Sequence, residues 1–147
     1  MKISTKGRYG LRAMLDLAVF SNGNQVSLFN IAERQNISVN YLEQVFSSLR
    51  KAGLVRSVKG SQGGYILVSP PEEIKVGDIL RCLEGNLKVV DEEPDNSGTQ
   101  SGIMLTCIKQ AVWDKINQSI DRVVDSVTLA NLTEEYRNTD NQPMFYI

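Results

Sequence analysis

The sequence predicts a mainly α-helical chain with one small β-hairpin and a long helix towards its C-terminal end. Three observations predict it. Two short amphipathic segments flank a tight turn between Ser27 and Gly53. Two apolar runs directly after them enclose a glycine-rich loop. An apolar stripe then recurs at helical spacing from Leu105 to Val127.

Length and composition set the bounds. The chain has 147 residues, room for one domain and an added element. Its 41% apolar content is that of a folded globular protein. No apolar run is long enough to cross a membrane, and the segment after Met1 lacks the apolar core of an export signal. Cys82 and Cys107 are not spaced as a C-x-x-C pair or a zinc site. A reducing, cytoplasmic setting is expected. The chain has no histidine. That removes the commonest general base and several nucleophile and metal constellations, so an enzyme is not expected.

The net charge of −1 conceals an asymmetry. Residues 1–71 hold nine Lys/Arg against three Asp/Glu, a net of +6. Residues 72–147 hold seven against fourteen, a net of −7. The basic half coincides with the paired helices and the hairpin, as attraction to phosphate requires.

The first helix should start near Ser4 or Thr5. Leu11, Met14, Leu15, Ala18 and Val19 form its expected buried stripe, and Ser21-Asn22-Gly23-Asn24 ends it. Lys2, Lys6, Arg8 and Tyr9 gather at its N-terminal end, with no acidic residue before Asp16. Lys6, Arg8 and Tyr9 are therefore candidates for gripping phosphates. Ordinary solubilising surface is the plainer reading of the same cluster.

Leu28, Ile31 and Ala32 give the second helix its buried face. Asn36-Ile37-Ser38 breaks the repeat, and Ser38 is a good N-cap for the next helix. The stripe resumes as Leu42, Val45, Phe46 and Leu49. Gly53 stands where a helix end favours a left-handed residue, just after Arg50 and Lys51. This is a helix-turn-helix pattern, whose second helix enters the major groove of DNA. Ser38, Asn40, Tyr41, Glu43 and Gln44 stand at its N-terminal end, where base edges are read. Asn40 and Gln44 can pair bidentately with adenine, and Glu43 can accept from cytosine. A carboxylate repels phosphate, so Glu43 either discriminates bases or points to solvent. Arg50 and Arg56 suit phosphates, which position a protein without reading sequence.

Leu54 to Val58 and Tyr65 to Val68 read as two strands around Lys59-Gly60-Ser61-Gln62-Gly63-Gly64. Helix, turn, helix and hairpin together make a winged helix. Lys59 and Gln62 at the wing are candidates for the adjacent minor groove or its phosphates. Pro70-Pro71 closes this first unit, 1–71.

Residues 72–102 should form a connecting helix and an acidic loop. Val76 to Glu84 is the helix, ended by Gly85, with Cys82 as a buried structural thiol. Asp91 to Gly102 is acidic, rich in turn formers and expected to be mobile. Residues 103–137 should form dimerisation helices. The long one runs from about Ile103 to Ser126, with Leu105, Ile108, Val112, Ile116, Ile120 and Val123 on one stripe and Trp113 widening it. A two-fold protein reads a two-fold operator, which makes this stripe the expected homodimer contact on palindromic double-stranded DNA. Packing onto its own domain is the plainer reading. Thr128 caps a last helix, Leu129 to Arg137, and Asn138 to Gln142 is polar and expected to be flexible. Residues 138–147 form a tail.

The stretches MKISTKGRYGLRAMLDLA, ISVNYLEQVFSSLRKAGLV and VKGSQGGYIL resemble the winged-helix regulator family that contains the iron–sulfur regulator IscR and the cysteine-metabolism repressor CymR. The resemblance covers roughly residues 1–137. It implies a homodimeric transcriptional repressor whose long helices cross at the dimer interface. Iron–sulfur members hold their cluster with three cysteines and one further ligand. This chain matches at one of those positions, Cys107 in LTCIKQAVW, and has Gln110 at the position of the further ligand. One thiolate does not supply the four ligands of a cluster, so no metal and no cofactor is expected. An iron–sulfur or thiol redox-sensing regulator, acting through Cys107 or Cys82, is the alternative.

The chain ends Pro143-Met144-Phe145-Tyr146-Ile147. The aromatic pair and the isoleucine resemble the end of the cysteine repressor and, more loosely, of serine acetyltransferase. The isoleucine of that acetyltransferase enters the active site of cysteine synthase. The resemblance implies that Met144, Phe145, Tyr146 and Ile147 bind cysteine synthase and that O-acetylserine competes for the same pocket. Folding of the tail onto the dimer is the plainer reading.

Overall fold

The computed structural model describes residues 2–60 and 63–141. Its elements are α1 (Thr5–Phe20), α2 (Leu28–Gln35), α3 (Val39–Lys51), β1 (Val55–Val58), β2 (Gly64–Leu67), α4 (Val76–Glu84), α5 (Gln100–Ile108), α6 (Asp114–Ser126) and α7 (Leu129–Asp140). A 3₁₀ turn, Pro71–Glu73, precedes α4, and a π-helical turn, Lys109–Trp113, joins α5 to α6. The winged helix-turn-helix with a long C-terminal helix, expected from the sequence, is the observed architecture.

The local signals act where the sequence puts them. Ser38 Oγ accepts from Tyr41 N at 3.1 Å and caps α3, a contact typically worth about 1 kcal/mol. Leu42, Val45, Phe46 and Leu49 are buried along that helix. Gly53 takes φ +79°, a left-handed turn that a side chain would strain. β1 and β2 pair antiparallel, with Val55 opposite Leu67 and Val58 opposite Gly64. Val26 adds a bridge to Tyr65, each N–H donating to the other's carbonyl at 3.0 and 2.9 Å. The hairpin is thereby fastened to the strand-like entry of α2.

The main core gathers Met14, Leu17, Ile31, Leu42, Phe46, Leu49, Ile79 and Leu129, all fully buried. A second, smaller core joins Val76, Leu80 and Leu87 to Ile120, Val124 and Val127. It docks the long helix on α4.

Three expectations need correction. The buried face of α1 is Ala13, Met14 and Leu17 with Gly7, Gly10 and Asp16, whereas Leu11, Leu15, Ala18 and Val19 are only half-buried. α1 is enclosed by α2, α3, α4 and α7, so the face of closest approach carries its smallest residues. A Cβ at Gly10 would overlap the Leu83 side chain.

The long helix starts at Gln100, not Ile103, because Thr99 Oγ1 accepts from Gly102 N at 3.1 Å and caps it there. It also contains the π turn, which adds a residue to the α repeat and rotates the following stripe. Lys109 Nζ spans that turn to the Asp114 carboxylate at 3.0 and 3.1 Å.

The segment after α4 is fastened at its start. Leu87 is buried, and Asn117 brackets the backbone by accepting from Val89 N at 2.8 Å and donating to Val90 O at 3.0 Å. Lastly, α7 continues to Asp140 rather than stopping at Arg137. Asn141 N donates back to Arg137 O, and Thr139 Oγ1 to Glu135 O at 2.8 Å.

Candidate nucleic-acid interface

α3 divides cleanly into two faces. Its apolar side enters the core, and Asn40, Glu43, Gln44 and Arg50 are exposed on the other. Among the described residues nothing covers these polar ends, so their hydrogen-bonding capacity is available to a ligand.

The N-terminal turn of α1 joins this face. Lys6 Nζ donates to Ser48 Oγ at 3.4 Å. Lys6, Asn40, Glu43, Gln44, Ser47 and Ser48 line one open hollow of about 640 Å³. A cation suited to phosphate thus stands beside side chains suited to base edges, as positioning and readout together require. Arg8, two residues after Lys6, is exposed, its guanidinium donating to Thr5 Oγ1 at 3.3 Å.

Tyr9 and Tyr41 pack against each other. Both are half-buried against the main core, with ring centroids 6.0 Å apart in an edge-on contact. The Arg12 guanidinium covers Tyr9 at 4.9 Å and donates to Gln35 O at 2.8 Å. The two rings join α1 to α3, and both residues remain partly exposed. Ser38 is exposed but its hydroxyl already caps α3. Arg56 and Lys59 are exposed on the hairpin. Gln62 lies outside the described residues, as do Met144, Phe145, Tyr146 and Ile147.

Sequence reasoning missed Glu84. Its Oε1 accepts from Ser4 N at 2.9 Å, Ser4 Oγ at 2.5 Å and Gly7 N at 3.0 Å. These donors are separated from it by 80 and 77 positions. No periodicity in the chain signals such a contact. Cys82 is half-buried nearby, its thiol donating to Ser48 O at 3.4 Å. Burial pushes the Cys82 thiol pKa up, and Lys6 partly offsets this.

The second candidate surface is the long helix. Ile103, Met104, Ile108, Val112, Ile116 and Val123 are exposed, Met104 and Val123 by 63% each. Leu105, Trp113 and Ile120 are half-buried, and Ile120 packs into the second core. The expected stripe is therefore split between an inner and an outer face. Ile116, Ile120, Val123 and Val124 line an apolar hollow of about 440 Å³. An exposed apolar surface of this extent marks an interaction site. Among the described residues no helix is long and apolar enough to cross a membrane.

The profile of the Rrf2 family, described as "Iron-dependent Transcriptional regulator", matches residues 3–135. CymR of Bacillus subtilis is 43% identical over 151 aligned positions, covering all of both chains. The solved structure of that global cysteine regulator superposes with a TM-score of 0.78 and 42% identity, covering 92% of this chain and 98% of the other. The structure of IscR from T. potens superposes with a TM-score of 0.76 and 46% identity, covering 99% and 95%.

An iron or iron–sulfur centre does not fit the donors present. Among the described residues no group of three or more His, Cys, Asp or Glu side chains gathers as a metal site. Cys107 is an exposed single thiol on α5, and Cys82 is engaged on α4. Fold, polar recognition helix, wing and sequence agree: this chain belongs to the Rrf2 family of winged-helix, DNA-binding transcriptional regulators and is not an enzyme.

Proposed function

We propose that this protein is a homodimeric repressor of genes of cysteine and sulfur metabolism, binding a palindromic operator and signalled through cysteine synthase and O-acetylserine. The observation that carries the DNA reading is the shared hollow of Lys6, Asn40, Glu43, Gln44 and Ser48. Asn40 and Gln44 read bases from it, and Glu43 selects against the wrong ones. Lys6, Arg8, Arg50, Arg56 and Lys59 hold phosphates, with Gln62 at the wing. The homodimer is supported by the exposed apolar face of α5 and α6. Burying it in a two-fold contact removes it from water and spaces two reading helices for two half-sites.

The cysteine assignment rests on the full-length similarity to CymR, whose structure is described as that of a global cysteine regulator. The signal enters through Met144 to Ile147. An apolar residue in a pocket, its backbone held by N–H groups, is a recurrent mode of peptide capture.

Two experiments test this. The full-length chain and a chain lacking Ile147 are titrated with purified cysteine synthase, with and without O-acetylserine. Binding that needs Ile147 and is reversed by O-acetylserine is expected. No binding by the intact chain overturns the cysteine-synthase mechanism and leaves DNA recognition standing. Anaerobically purified protein that carries iron, sulfide and a visible chromophore overturns the cofactor-free reading.

A further inference from the structure

We propose that Glu84, which lies outside the reading helix and the wing, is a positioning residue for DNA binding. Its carboxylate holds the first turn of α1, which carries Arg8 and sets Lys6 against the recognition helix. The proposal rests on the DNA-binding function proposed for this chain.

The first turn of α1 is electrostatically awkward. A helix N-terminus carries partial positive charge and is stabilised by acidic side chains. The first turn of α1 has no acidic residue and carries Lys6 and Arg8 instead. The cations that suit phosphate therefore destabilise the turn that presents them. Its own cap is weak, since Ser4 Oγ lies 3.5 Å from Gly7 N.

Glu84 supplies the missing anion from another helix. One oxygen accepts from both the amide and the hydroxyl of Ser4 and from the amide of Gly7. The approach depends on Gly7, where a Cβ would overlap the Glu84 carboxylate. With that turn held, Lys6 reaches Ser48 on α3. Three residues before Glu84 on α4, Arg81 donates to Asp125 at 2.7 and 3.0 Å and to Asp121 at 2.9 Å on α6. α4 is thus a strut from the long helix to the phosphate-gripping turn.

The sign of the effect separates positioning from charge. A carboxylate close to DNA repels phosphate, so its removal tightens binding if electrostatics alone matters. If Glu84 positions Lys6 and Arg8, its removal weakens binding and removes phosphate contacts.

The test uses full-length protein and a fluorescent mixed-sequence duplex about 30 bp long, enough for two half-sites one turn apart. Wild type, Glu84→Gln, Glu84→Ala and Gly7→Ala are titrated across a salt series. The expected result for each variant is binding weaker by about 3- to 10-fold at low salt, and a salt slope shallower by about 1 to 2 per dimer. Gly7→Ala reaches the same end with no change of charge, by displacing the carboxylate. Circular dichroism and elution volume report the fold and the dimer. If Glu84→Ala loses helicity, Glu84→Gln and Gly7→Ala decide the question. Glu84 variants that bind as tightly as wild type or tighter, with an unchanged slope, overturn the proposal. A flat salt response of the wild-type chain instead overturns the DNA-binding reading itself.

Discussion

Arg34 closes a two-pronged ion pair on Asp16, with Nε and an Nη donating to the carboxylate at 2.9 and 2.7 Å. The Asp16 side chain is fully buried, and Gln35 donates to it at 2.8 Å. Arg34 also lies over the Phe20 ring at 4.2 Å, and Phe20 meets Tyr136 edge-on. One carboxylate thereby fixes α2, and so the entry to the helix-turn-helix, on α1. The hydrogen bond to Asp16 holds the Arg34 pKa above its ordinary value.

Arg34→Ala should leave that carboxylate buried with one neutral partner. Removing one member of a buried pair costs about 3–5 kcal/mol, and the one-third exposed arginine reduces this to about 2 kcal/mol. Denaturant unfolding should record the loss. An Arg34→Ala variant as stable as wild type would mean that water replaces the guanidinium without cost.

Gln44 and Arg50 should separate readout from grip. Gln44→Ala is expected to relax preference at one base position in each half-site, where a good bidentate contact is worth about 1–3 kcal/mol of discrimination. Arg50→Ala should weaken all sequences alike and lower the salt slope by about 1 per lost phosphate contact. Selection from a randomised duplex pool, combined with salt titration, distinguishes the two. A uniform loss for Gln44→Ala would refute its reading role.

Ile116 and Val124 should report the two faces of the long helix. Ile116→Glu places a charge on the outer face and should yield a folded monomer by light scattering, with greatly weakened operator binding. Val124→Glu places it in the second core, where an unpaired charge unfolds the α4–α6 contact. A dimeric Ile116→Glu variant would move the dimer contact elsewhere.

Asp125 gives a pH signature. Hydrogen bonds from Arg81 hold its carboxyl below the ordinary value of 3.8. The folded state therefore binds this proton more weakly than the unfolded chain. The contribution is complete above the ordinary value and is lost as pH falls through the lowered one. Asp125→Asn should cost up to about 1 kcal/mol at neutral pH, since both partners are one-third exposed. The difference from wild type should close in acid. A difference that persists there would assign the loss to packing rather than to charge.

Much of the reading surface is legible in the sequence. Ser38, the stripe from Leu42 to Leu49 and Gly53 delimit α3 by interactions within a few positions, which local chemistry controls. The same holds for Val76 to Glu84, found with those bounds. Once the apolar side of α3 is known, Asn40, Glu43, Gln44 and Arg50 follow as its exposed side. The face of α1 does not follow, because it meets several helices at once and its glycines matter more than its leucines.

By itself the sequence determined the order of helices, the wing, the polar face of α3 and the basic half of the chain. Each depends on spacing, capping or charge that neighbouring residues supply. Only the tertiary structure decided that Asp16 is buried, that the Tyr9 and Tyr41 rings meet, that the α5–α6 stripe has two faces, and that Glu84 caps α1. Those outcomes join residues 18 to 80 positions apart. A side chain's burial is set by which surface reaches it in space, and no local pattern carries that information.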